Sequence, residues 1–163
     1  MRFSAALIVV EKIDRSRRFY ESVLKQRVKY DFGENIVFEG GFSLQSKDSW
    51  RNFIDRRNIR VLAKSHSFEL YFEEEHFDAF LLYLSSFPEV ELVHATKTHP
   101  WGQRVVRLYD PDGHIVEIGE DMRSVVMRFF RAGLSAEEVA KRSQYPLEFV
   151  LSCIDAADRT EAK

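Results

Sequence analysis

Apolar and polar positions along this chain follow two rhythms, and the order in which they appear is repeated. Residues 3–10 form an apolar run ending at the charged pair Glu11-Lys12, which predicts a buried first strand. Asp14 can cap a helix reaching about Leu24, with Phe19, Tyr20, Val23 and Leu24 as its apolar face. Arg15, Arg17, Arg18 and Lys25 make that helix basic, the composition of a solvated face. Residues 28–32, 35–39 and 42–46 then read as three short strands, divided by Gly33 and by Gly40-Gly41.

The same order recurs at a spacing of roughly 65 residues, which is a repeat signal. Residues 68–72 read as a strand, and 75–86 as a helix with Phe77, Phe80, Leu81 and Leu84 on one face. Residues 90–94, 103–109 and 115–119 supply three more strands. Between the copies, residues 47–64 read as a linker with a helical turn, Trp50, Phe53 and Ile54 falling at helical spacing. After Glu120 the pattern becomes helical. Val125, Val126, Phe129 and Phe130 line a helix over 122–132 that Gly133 stops. Ser135-Ala-Glu-Glu138 is a capping box for a second helix to about Arg142. Pro146 can open a third, striped by Phe149, Val150, Cys153 and Ile154. Residues 158–163 are expected to fray. The fold class is α+β, with a domain over 1–120 (modules about 1–46 and 66–120) and a helical C-terminal extension over 121–158.

The stretch from Arg107 to Glu120 carries the chemistry. Asp110-Pro111-Asp112-Gly113 has the residues of a tight turn: proline presets φ, the aspartates bond their own backbone, and glycine supplies φ > 0. In the strand that follows, Glu117 lies on the face opposite Val116 and Ile118. A carboxylate there is costly to bury without a partner. Glu117 therefore either meets water at an open edge or lines a cleft.

Asp-Pro-Asp-Gly followed by Glu117 resembles the signature of the vicinal-oxygen-chelate superfamily, which holds glyoxalase I, the bleomycin-resistance proteins and the extradiol dioxygenases. Ser16, Phe19-Tyr20 and Leu24 are similar to its first-helix pattern. His99-Pro100-Trp101-Gly102-Gln103-Arg104 resembles the element leading into its penultimate strand. The resemblance implies two βαβββ modules forming a curved, half-open mixed sheet, with a small molecule in the concave cleft and often a homodimer. It also implies a metal held by four ligands, usually His, Glu, His and Glu, from the first and last strands of each module. Here those positions carry Ala5, Gln45 (Leu44 if the register slips), Ser67 and Glu117. Zinc or non-haem iron needs several good ligands, and only Glu117 is one. His66, one residue before Ser67, faces the other way. The chain thus looks closer to relatives that have lost the metal, with Glu117 and Gln45 as the ligands if a metal binds.

Period-2 alternation places Ser43 with Gln45, Ser67 with Glu69 and Tyr71, and Gln103 with Arg107 and Tyr109. Gln45, Ser67, Tyr71, Trp101, Gln103 and Arg107 are the candidate ligand-binding residues. Glu117 and Glu69 are a candidate acid/base pair, with His99 as a proton shuttle. The alternatives are structural: Trp101 packing over the sheet edge and His99 as an exposed loop residue.

Composition narrows the classes. The 163 residues carry a formal net charge of −2, which gives no pull toward nucleic acid or anionic membrane. The three C-terminal helices resemble a minimal helix-turn-helix, but no Lys or Arg precedes Arg159 in the presumed recognition helix, so nucleic acid is not an expected partner. The 14 Phe favour aromatic packing. Cys153 is the single cysteine, so the chain holds no internal disulfide, and its apolar neighbours suit a structural thiol. No apolar leader or bilayer-length run is read, and the expected location is the cytoplasm. The first function expected is a metal-independent binding module for a small organic molecule, with no cofactor. A divalent-metal lyase or dioxygenase using Glu117 is the second, and a ligand-sensing regulator with a contacting tail the third.

Overall fold

The structure, a computed structural model, describes residues 1–161. It contains two sets of strand, helix and three strands, followed by three helices. The chain divides into two compact units. The first holds residues 1–69, 87–91 and 109–115, and the second holds 70–86, 92–108 and the chain from 116 onward.

In the first unit, β1 (Ala6–Val10), β2 (Val28–Asp31), β3 (Asn35–Phe38) and β4 (Phe42–Ser46) form one sheet in the order β1-β4-β3-β2. β1 runs parallel to β4, pairing Leu7 with Ser43 and Val9 with Gln45, while β3 is antiparallel to both β4 and β2. α1 (Ile13–Ser22) crosses between β1 and β2, as a connection to a non-adjacent strand requires. Its Phe19 and Tyr20 are buried with Ile8, Val10, Ile36, Phe38, Phe42 and Leu44. The Tyr20 ring lies 5.1 Å from Phe42 and 5.7 Å from Phe38, and Phe38 stacks on Phe42 at 4.7 Å. The abundant phenylalanine therefore cements helix to sheet.

Two boundaries differ from the sequence reading. β1 starts at Ala6, where its pairing with Phe42 starts, and Phe3 is 80 % exposed. α1 is capped at Lys12 with no side-chain bond, and Asp14 sits in its first turn, where a negative charge complements the helix dipole. The predicted linker opens as α2 (Lys47–Phe53), whose Ser46 cap accepts a hydrogen bond from the Ser49 amide.

In the second sheet, β5 (Glu69–Glu74), β6 (Leu92–Thr98), β7 (Arg104–Tyr109) and β8 (Ile115–Glu120) are ordered β5-β8-β7-β6, the same sequence of crossings as in the first. α3 (Phe77–Leu84) follows β5 and buries Phe77 and Leu84. β6 runs to Thr98 rather than ending at His94, because Lys97 and Thr98 pair with Val105 and Arg104. As an edge strand, largely open to solvent, it tolerates the polar run His94-Ala-Thr-Lys-Thr98, which lacks a strand-like apolar face.

α4 (Met122–Arg131), α5 (Ala136–Ser143) and α6 (Leu147–Glu161) form a small bundle in the second unit. Met122, Val125, Val126, Phe129, Val139, Val150 and Cys153 are its buried core, and Trp101 packs against it. The capping box at Ser135 and Glu138 is present in full, and Gly133 after α4 has φ +94°. The expected fray from residue 158 is not seen over the described part. The α6 backbone stays helical to Glu161, and 162–163 lie outside the described residues. No helix among the described residues is long and apolar enough to cross a membrane.

Candidate functional site

In the first unit the Asp110-Pro-Asp-Gly113 turn forms as its residues require. The Asp110 carboxylate accepts from the backbone amides of Asp112 and His114, both at 2.9 Å, and Gly113 takes φ +84°. The aspartates also bind the first helix. The second Asp110 oxygen accepts from the buried Tyr20 hydroxyl at 3.0 Å and lies 2.9 Å from His114 Nδ1. Asp112 accepts from the Ser16 hydroxyl at 2.7 Å, from Arg15 at 2.9 Å and from the Glu11 amide at 2.8 Å. Burial first, then Asp110, holds the Tyr20 phenol well above its usual range. Burial alone would lower His114, but its bond to Asp110 wins and raises it.

The second unit gathers the chemistry expected of a binding face. Glu117 is 6 % exposed on β8, with Val116 and Ile118 buried on the other face. The open-edge reading of Glu117 is therefore wrong: β8 lies between β5 and β7 inside the sheet, and the carboxylate is buried. Its partner is Arg107, on the neighbouring strand β7, which forms an ion pair with the carboxylate. Arg107 also reaches His94 Nε2 at 3.4 Å. A guanidinium only donates, so that nitrogen accepts and the imidazole proton sits on Nδ1, 2.7 Å from the Ala95 carbonyl.

A second chain of bonds runs beside it. Trp101 Nε1 donates to Gln103 Oε1 at 3.1 Å, and Gln103 Nε2 donates to the Tyr71 hydroxyl at 2.8 Å and to the Glu120 carbonyl at 2.9 Å. Tyr71 donates onward to Glu73 at 2.8 Å. Gly119 makes room for this chain, since a Cβ there would lie 2.7 Å from Gln103 Nε2 and 3.0 Å from the Tyr71 ring. Burial, ahead of its contacts, raises the Tyr71 phenol. His99 stacks on Trp101 with ring centres 4.2 Å apart. Burial first, then the nearby Arg107, His94 and Lys97, lowers the His99 imidazole, which favours its neutral form at pH 7.

Six expected site residues thus meet in one unit: Glu117, Arg107, Gln103, Tyr71, Trp101 and His99. The other three lie in the first unit. Gln45 is buried, its amide donating to the Glu34 carbonyl at 3.0 Å and accepting from Asn35 at 3.0 Å. Leu44, the alternative position, is fully buried as well. Ser67 precedes β5 and bonds Ser65 at 3.0 Å, and Glu69 is exposed at the head of that strand. The alternation meant to align Ser67, Glu69 and Tyr71 fails because Ser67 lies outside the strand. Tyr109, expected beside Arg107, instead bonds His66 at 2.7 Å and lies under Lys64. His94 was missed, since a lone histidine in a polar run gives no signal of its cross-strand partner.

Glu120 was also missed. It is 4 % exposed and accepts from Arg104 and from Arg128. Burial would raise its carboxyl, but the two arginines overcome that and hold it below the ordinary range. Among the described residues, no three His, Cys, Asp or Glu side chains converge on a point that could hold a metal ion. A groove of about 880 Å³ lies in the first unit, against Phe19, Val23 and the Asp110–Gly113 turn. Two of its cations already pair with carboxylates, Arg15 with Asp112 and Lys64 with Glu91.

Comparison with known proteins shows the family and the fold. Residues 3–123 match the model of the glyoxalase-like domain. A protein of unknown function from Agrobacterium tumefaciens str. C58 is 37% identical, covers 74% of this chain and 94% of its own, and superposes with a TM-score of 0.67. A glyoxalase/bleomycin resistance protein/dioxygenase from Nocardioides shares the fold at 16% identity, over 74% of this chain and 83% of its own, with a TM-score of 0.61. Lactoylglutathione lyase from Agrobacterium tumefaciens does so at 19% identity, over 74% and 94%, with a TM-score of 0.58. None of the curated proteins matches the chain.

Proposed function

The chain belongs to the glyoxalase-like domain family, and we propose that it is a small-molecule-binding member working without a catalytic metal. The observation that carries this reading is the ion pair between half-buried Arg107 and buried Glu117. In the resemblance, Glu117 occupies the last metal-ligand position. Here the Arg107 guanidinium already neutralises that carboxylate. A divalent ion bound to Glu117 would have to sit against Arg107, and like charges about 4 Å apart repel by roughly 4 kcal/mol per unit-charge pair at an effective dielectric near 20. Gln45, the other ligand position, has its amide satisfied by Asn35 and Glu34. The residues present do not fit a divalent metal.

The same face supports binding of an organic molecule. His99 and Trp101 form a flat aromatic pair, and Gln103, Tyr71 and Arg107 place polar groups nearby. Few polar groups among aromatic ones are what fix a small ligand's orientation.

The test is metal content followed by a ligand screen. Tag-free protein purified without chelators is expected to hold far less than one equivalent of zinc, iron, manganese or nickel. Adding these ions is expected to leave the melting temperature unchanged. Near one equivalent of any of them would overturn the reading. In a thermal-shift screen of small organic acids and aromatics, true ligands are expected to lose their effect with Trp101→Ala.

A further inference from the structure

The three C-terminal helices lie almost wholly beyond the family match at residues 3–123, yet their first helix grips the loop carrying His99 and Trp101. That loop is a tight turn, with the Gly102 amide donating to the His99 carbonyl at 2.8 Å and the His99 amide to the Gln103 carbonyl at 2.8 Å. Gly102 takes φ +90°, and a Cβ on it would lie 2.2 Å from Phe129 Cζ, so the Phe129 ring is seated on the glycine itself. Arg142 of α5 and Arg128 lie over that ring, at 4.7 and 5.3 Å. Arg128 Nη2 donates to the Gly102 carbonyl at 2.9 Å and to buried Glu120 at 2.9 Å. Trp101 closes the contact by packing against the helical core.

We infer that α4 belongs to the candidate site: Arg128 and Phe129 are positioning residues that hold the 99–102 turn, and with it the His99–Trp101 pair, beside Gln103. The backbone carbonyl of Gly102 is held from one side by a charge-assisted hydrogen bond. The ring of Phe129 fills the only space a side chain at 102 could occupy. Because both Arg128 bonds leave one nitrogen, a lysine ammonium can reproduce them. The C-terminal helices thus serve this chain as a wall of the site. The inference rests on reading this sheet face as the binding site, but its test needs no ligand.

Replacing Trp50 by Phe leaves Trp101 the only indole, since the chain has two tryptophans. In that background, acrylamide quenching reads the exposure of Trp101. Protonated imidazole quenches indole emission, so the pH dependence of emission reads His99, whose charged and titratable neighbours are Arg107, His94 and Lys97. A His99→Gln control identifies that transition. Arg128→Ala is expected to raise the acrylamide quenching constant about twofold, as the turn opens locally. The His99 midpoint is expected to move up toward its ordinary value, and Arg128→Lys to restore both readings. A folded Arg128→Ala protein, judged by far-UV circular dichroism, with both readings unchanged would overturn the inference. If Arg128→Ala does not fold, Phe129→Leu decides in its place, with the same expected directions and the same overturning result. Loss of the metal-free reading would show as bound metal and would leave these two readings untouched.

Discussion

Arg107 and Glu117 stabilise the chain only as a pair. Removing the cation alone leaves a buried carboxylate without compensation, the costly half of breaking an internal ion pair. Arg107→Met is therefore expected to lower unfolding free energy by about 3 kcal/mol. The double variant Arg107→Met/Glu117→Leu is expected to recover most of it, because the desolvation cost leaves with the charges. Urea titration of the three proteins measures the coupling, and a double variant as unstable as the single one would contradict it. Two other groups contribute to the pH dependence from opposite sides. His114 is held above 6.5 in the folded chain. Its contribution is complete below that value and is lost as pH rises through the raised folded value. Glu120 is held below 4.5. Its contribution is complete above that value and is lost as pH falls through the lowered one. Urea midpoints between pH 3 and 9, scanned at intervals of about one unit, are expected to fall at both ends. His114→Gln is expected to flatten the alkaline side alone, and Glu120→Gln the acid side alone.

Among the elements, the Asp110–Gly113 turn and α1 form one clip. Asp112 collects the Ser16 hydroxyl, Arg15 and the Glu11 amide, and Ser16 is fully buried. Asp112→Ala strands that hydroxyl, and the expected cost is about 2 kcal/mol by urea unfolding. Ser16 and Asp112 stood out in the sequence as parts of separate patterns 96 residues apart. Nothing in either pattern announces that they bond, because a hydrogen bond across that distance is made by the fold. The capping box at Ser135 is the opposite case, since all its partners lie within one turn. Ser135→Ala is expected to cost about 1 kcal/mol.

For the whole molecule, the C-terminal helices decide how much of the second unit remains without them. A chain ending at Asp121 would lose the core of Met122, Val125, Val126, Phe129, Val139, Val150 and Cys153 and uncover Trp101. It is expected to bind a hydrophobic dye and to lose more ellipticity than three deleted helices account for. The sequence by itself determined the element order, the repeat, the turn at Asp110, the apolar face of α1 and the capping box at Ser135. Each of these is written in periodicity or in side-chain-to-backbone bonds spanning a few residues. It also marked Glu117, Gln103 and Trp101, because residue type and strand parity are local. Tertiary structure alone decided that Arg107 neutralises Glu117, that His94 joins them and that Glu120 ties two arginines together. It also decided that Phe129 rests on Gly102. These are pairings between strands and helices distant in sequence, whose energy comes from desolvation and charge. Neither exists until the sheet has set the register and closed out water.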